Sequence, residues 1–217
     1  MKNNKKAWDI IYREKGKYFE DIHPDILKVS KLLKKLKARK VLDLGSGTGR
    51  NTVFLARNGF EVYGIDISEK GITETKDWLK KEDLSAHLST QDITKKLPFE
   101  SDFFDAVIST QVIHHARIKT IEKIIKEIGR VLNTNGFVLV TAPEDRGYDP
   151  ERRGGWKMKL IEKHTYLPLS GPEKGLVHYF FTKETLRDAF SKFFVIKKLY
   201  IDQTNHLSVW GTKKLRK

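Results

Sequence analysis

Cysteine is missing from all 217 residues. Disulfides, thiolate nucleophiles and cysteine-built zinc sites are therefore excluded, and any catalysis must work through oxygen, nitrogen or geometry. No apolar run reaches the roughly eighteen residues of a membrane-spanning helix. The chain opens Met1-Lys2-Asn3-Asn4-Lys5-Lys6 without the apolar stretch of a signal peptide, so a cytoplasmic location without a membrane partner is expected. Internal repeats and low-complexity tracts are absent as well. Negative charge is in short supply, with 28 Asp plus Glu against 42 Lys plus Arg for a net +14. That surplus suits an anionic partner, and it suits equally a set of solvated helix faces. Between Lys31 and Lys40 the lysines fall at helical spacing and leave Leu32, Leu33 and Leu36 as an apolar stripe.

What is present is alternation. Apolar runs of about four to seven residues recur between helical patterns of about ten to fourteen, the signature of a parallel sheet assembled from βαβ units. Strands are predicted at about 40–44, 61–66, 85–90, 104–110 and 136–142. Helices are predicted at about 4–14, 24–37, 49–58, 68–80 and 118–132, the last ending before Asn135-Gly136. From Pro143 to Phe181 the period lapses for about forty residues, and a structureless loop of that length is usually functional. A helix near 183–190 follows, then strands near 193–200 and 206–213, joined by so short a turn that they should pair antiparallel.

The chemistry concentrates after the first strand. Val41-Leu42-Asp43-Leu44 runs into Gly45-Ser46-Gly47-Thr48-Gly49, where glycines allow a tight strand-to-helix turn and close backbone approach to a ligand. A dinucleotide site would want glycine where Arg50 stands, and no Walker lysine follows, so a P-loop is excluded. The Asp43 carboxylate would repel a pyrophosphate but favour the cationic amino group and sulfonium of S-adenosylmethionine. Asp66, at the end of the second strand, is placed to hold a ribose diol. Asp92 can accept from the adenine amine while Ile67 and Ile93 sandwich the ring; as a bare residue, Asp92 is equally a turn cap.

On these residues the chain resembles the class I S-adenosylmethionine-dependent methyltransferases, specifically their broad small-domain group. The segment from Val41 to Ser68 matches that family's Gly-rich loop and acidic second-strand end, the segment from Leu97 to His115 its fourth-strand region, and Arg130 to Pro143 its fifth. The resemblance covers about 38–142. It implies an α/β, Rossmann-like doubly wound sheet of seven strands, mostly parallel with an antiparallel last strand and helices on both faces. It also implies that Thr110 lies beside the methionine half of S-adenosylmethionine, whose product is S-adenosylhomocysteine. In some relatives a Trp-x-x-x-Tyr helix caps that half, and Trp8 and Tyr12 have this spacing, which ordinary packing aromatics would share. The expected organisation is a single methyltransferase domain over 1–217, with N-terminal helices at 1–37, the cofactor-binding core at 38–142, a lid or substrate insertion at 143–181, and a C-terminal helix and strand pair at 182–217.

About the acceptor the motifs say little. Methyl transfer from a sulfonium needs alignment and does not oblige a base. Should a base act, His114, His115 and His178 are the first candidates, with Glu144 and His164 behind them. The DPPY-like signature of base-amine methylases is replaced by Ser109-Thr110-Gln111-Val112-Ile113. No carboxylate cluster follows the fourth strand, so no metal is expected. The stretch from Glu144 to Phe181 interleaves Arg146, Tyr148, Arg152, Arg153, Trp156, Tyr166 and Tyr179, as a lid over a flat or anionic acceptor would, or as a surface excursion with its own small cluster would. A small-molecule acceptor is the leading expectation, in a monomer or homodimer, with RNA second and a catalytically silent S-adenosylmethionine-binding subunit third.

Overall fold

The computed structural model describes residues 2–16, 21–147 and 155–215. Its elements run α1 (Lys2–Lys15), α2 (Pro24–Lys35), β1 (Lys40–Leu44), α3 (Arg50–Arg57), β2 (Glu61–Asp66), α4 (Glu69–Lys81), β3 (His87–Thr90), β4 (Phe104–Thr110), α5 (Ile118–Val131) and β5 (Leu132–Pro143). They continue through β6 (Met158–Glu162), β7 (Thr165–Pro168), β8 (His178–Tyr179), α6 (Lys183–Ser191), β9 (Phe194–Ile201) and β10 (His206–Lys213). Seven strands make one sheet in the order β3-β2-β1-β4-β5-β10-β9. β1 pairs in parallel with β2 and β4, as β2 does with β3 and β4 with β5, whereas β10 runs antiparallel to both its neighbours.

Strands covered on both faces must be apolar on both. Val41, Leu42, Leu44, Ala106, Val107, Ile108, Val138, Leu139 and Val140 are accordingly all fully buried. On one face α5 lays down Ile121, Ile124, Ile125 and Ile128, a stripe at helical spacing, against Leu42, Val107 and Val138. On the other, Ile26, Val29 and Leu33 of α2 pack with Val41, Ile108 and Leu139. Strand order reverses between β1 and β4, so the crevice beyond their carboxyl ends is the place for a ligand.

Two boundaries differ from the sequence expectation. β5 starts at Leu132, directly after α5, because Leu132 is buried and pairs with Phe104. Asn135, at φ 62°, therefore sits inside the strand near a register shift instead of preceding it, while Asn133 Nδ2 donates to Asp105 Oδ1 at 2.6 Å. The other correction concerns 143–181, whose described part is not structureless: β6, β7 and β8 form a three-stranded antiparallel sheet. Its turn at Lys163 and His164, the latter at φ 60°, carries no Gly or Asn to flag it. Tyr148, Arg152 and Arg153 lie outside the described residues. Among the described residues no helix is long and apolar enough to cross a membrane.

Candidate functional site

A cavity opens where that crevice was expected. The loop from β1 to α3 forms its floor, with Gly47 at φ 56° and Gly49 at φ 94°. A Cβ on Gly47 would stand 2.9 Å from Tyr12 Oη, and one on Gly49 2.7 Å from a Thr75 methyl, so these glycines admit neighbouring side chains as well as a bend. Gly45 and Gly47 line the cavity; Gly49 does not.

Asp66 accepts from the Gly47 and Ser68 amides at 2.9 and 2.8 Å, holding the loop against the end of β2. Burial pushes its carboxyl up to about 6, against the pull of those amides. Asp43 is also raised to about 6 by burial, opposed by the hydrogen bond from Thr52 Oγ1 at 2.6 Å, but it lies beneath the loop and is not a wall. Asp66, Ile67, Asp92 and Ile93 are walls. The Asp92 carboxylate also caps its own turn, accepting from Thr94 N at 2.9 Å and Thr94 Oγ1 at 2.6 Å. Across the cavity, Thr110 Oγ1 accepts from Asn51 Nδ2 at 3.0 Å. Tyr12 and Trp8 close it from above on α1, their rings stacked at 5.5 Å. Asp9 anchors that helix by accepting from Ser68 Oγ at 2.6 Å.

A second cavity shares Trp8, Gln111 and His115 with the first and adds His114, Trp156, Met158, Glu173 and His178. Gln111, at φ 62°, is held by its amide to Thr141 Oγ1 at 3.0 Å. His115 meets Trp8 edge-on at 5.2 Å. Burial, aided by the neighbouring His178, pushes the His115 imidazole down to about 3, so it is neutral at ordinary pH. Glu173 resists the upward push of burial and is held below the usual carboxylate range by His178 and His115, with Oε2 2.9 Å from His178 Nε2. Tyr166 and Tyr179 are not walls: Tyr166 packs on Phe180 at 5.3 Å, and Tyr179 on Phe181 at 4.7 Å. His164 pairs with Asp145, and Glu144 with Arg146.

Residues 42–140 match the family model described as a methyltransferase domain. That segment, a little under half of the chain, is of the class I S-adenosylmethionine-dependent methyltransferase family. The match spans β1 to the middle of β5, the strands whose ends carry the first cavity. The chain is 30% identical over 137 residues to the probable S-adenosyl-L-methionine-dependent methyltransferase TehB of Haemophilus influenzae, covering 60% of this chain and 46% of that one. It is 34% identical over 103 residues to an uncharacterized methyltransferase of Synechocystis, covering 47% and 46% respectively. The chain thus spans about half the length of these curated relatives. Among solved structures, the PH0226 protein of Pyrococcus horikoshii shares the fold with a TM-score of 0.75, at 24% identity over 94% of this chain and 98% of that one.

Sequence reasoning missed Asn51, Gln111, Met158 and Glu173. The first two flank recognisable motifs, and a polar residue just after the glycine loop or the fourth strand is a usable signal. Met158 and Glu173 sit in the stretch without a period, and nothing local marks them.

Proposed function

We propose that this methyltransferase moves the methyl group of S-adenosylmethionine to a small molecule held in the second cavity. Its position carries the reading: it meets the first cavity along Trp8, Gln111 and His115 and is otherwise walled by buried or half-buried side chains. In the first cavity, Asp66 receives the ribose hydroxyls, Asp92 the adenine amine, and Ile67 and Ile93 the faces of the ring. Thr110 and Tyr12 flank the methionine half, and Asp43 adds negative potential from below. Bound there, S-adenosylmethionine would supply a methyl electrophile for in-line attack by the acceptor lone pair, with S-adenosylhomocysteine as the product, and His115, neutral and basic only while its ring is uncoordinated, would take the acceptor proton.

The net charge of +14 favours RNA as the second reading. Label transfer from methyl-labelled cofactor, offered a metabolite extract and total RNA in separate reactions at about 0.15 M salt, decides between them because loose polyanion contacts weaken there. Label in the metabolite pool supports the proposal. Stoichiometric label in one RNA species overturns it, and cofactor binding without transfer to either pool marks a silent subunit.

A further inference from the structure

The three histidines of the second cavity come from two places in the chain. His114 and His115 sit in the turn after β4, and His178 opens β8. One backbone hydrogen bond joins these segments, Tyr179 N donating to His114 O at 2.8 Å, and a second, His115 N donating to Val112 O at 3.2 Å, closes the turn that carries the histidine pair. β7 holds His178 from the other side through its pairing with Tyr166. The rings stand with centroids 4.0, 4.7 and 5.4 Å apart. Each offers a ring nitrogen, and the three nitrogens all lie within 4.8 Å of one another.

We infer that His114, His115 and His178 form a binding site for one divalent first-row transition ion such as zinc. Imidazole nitrogen is a preferred ligand for that class of ion, and the absence of cysteine leaves histidine as the natural donor. Zinc–nitrogen bonds of about 2.0–2.1 Å place tetrahedral ligand atoms roughly 3.4 Å apart, so side-chain shifts of about an ångström close the trio on an ion. His115 Nδ1 is buried with no hydrogen-bond partner, a cost that coordination removes. Glu173 completes the arrangement from outside: its carboxylate lies beside His178, as the outer partner of a metal-bound histidine does, and supplies buried negative charge against the ion. Three protein ligands leave a fourth position for a lone-pair donor in the cavity that Trp156 and Met158 also line.

A second buried trio, His23, Asp25 and Asp202, satisfies the same distance criterion. Most of its groups are engaged with one another or with neighbours, and its histidine stands alone between two carboxylates. His23 Nδ1 accepts from Asp25 N at 3.3 Å, His23 Nε2 faces Asp202 Oδ2 at 3.4 Å, and Asp25 Oδ2 accepts from Ser208 Oγ at 2.8 Å. That network ties α2 to β10 and the turn before it.

The test is made on metal-stripped full chain, independently of any methyl acceptor. Titration with cobalt(II), followed by displacement with zinc, should show one equivalent bound with the visible absorption of a low-coordinate cobalt centre and a dissociation constant in the micromolar range or tighter. His115→Ala and His178→Ala should each weaken binding at least about tenfold, and Glu173→Gln by roughly tenfold, the usual effect of removing an outer partner. His23→Asn should leave it unchanged. Circular dichroism and thermal melts establish that each variant folds, and Glu173→Gln, which keeps the side-chain shape, carries the test if a histidine variant does not. Absence of stoichiometric binding, binding indifferent to all three of these site variants, or binding that follows His23 overturns the inference.

Discussion

The two cavities share three residues and are built in opposite ways. Beneath Trp8 and Tyr12 of α1, the first is assembled from strand ends and the turns that follow them, so most of its walls come in short runs: Gly45 to Thr48, Asp66 with Ile67, Asp92 to Thr94, Thr110 to Ile113, His115 with Ala116. Its polar work is done by backbone amides and by the carboxylates that accept from them, Asp66 from Gly47 and Ser68 and Asp92 from Thr94. The second draws Trp8 from α1, the histidine pair from after β4, and Trp156, Met158, Glu173 and His178 from the small sheet region. A site of the first kind is written locally and should be fragile to backbone change. A site of the second kind depends on tertiary docking and should tolerate single substitutions without harm to its neighbour.

The largest effect should fall on the local site. Gly49→Val places a β-branched residue at φ 94° and a Cβ 2.7 Å from Thr75, so cofactor binding measured by calorimetry should weaken by roughly a hundredfold or more. Normal affinity in a folded variant would mean that the loop geometry is not what binds the cofactor. Asp66→Ala should follow, losing about 1.5–3 kcal/mol of charge-assisted hydrogen bonding, or roughly 10- to 150-fold in dissociation constant.

Titration gives a graded version of the same test. Asp66 has a folded-state value of about 6, above the roughly 3.9 of an unfolded aspartate, so its contribution to stability is full below the lower value and is lost as pH rises through about 6. Cofactor binding that uses the ionised form runs the other way and should fall up to about tenfold per pH unit below about 6. Asp66→Asn should flatten its share of both trends; an affinity profile identical to the wild type would remove Asp66 from the site.

In the docked site, Trp156→Ala should raise the acceptor KM by about tenfold while the dissociation constant of S-adenosylhomocysteine stays within about twofold. Equal losses in both would show the two cavities to be one energetic unit. The smallest change is expected of Tyr166→Phe, which keeps the ring on Phe180 and alters no cavity wall, so KM should move by less than about twofold.

The same contrast explains what could be read in advance. The parallel βαβ core and the antiparallel closing pair followed from alternation and a short final turn, and the glycine loop from residues adjacent in sequence. Asp43 shows the limit of that reasoning: its spacing from the glycines is right, yet the inward side of β1 points it at Thr52 beneath the loop. Tyr166 and Tyr179 show it again, because an aromatic in an aperiodic stretch carries no sign of which neighbour it will meet. Glu173 follows Ser170-Gly171-Pro172 and reads as a turn residue; the docking of β8 against the turn after β4 brings it, together with His178, to the histidine pair. β6 and β7 escaped notice because their strands are short and partly exposed and their turn lacks the usual residues.

Trp8, Gln111 and His115 face both cavities, so the partition between them is one side chain thick. Whatever enters one chamber sets the position of the wall that the other presents. Under the proposed function the two occupants do not arrive independently: the first to dock finishes the surface on which the second lands, and an order of binding that neither chamber has alone is the expected kinetic outcome.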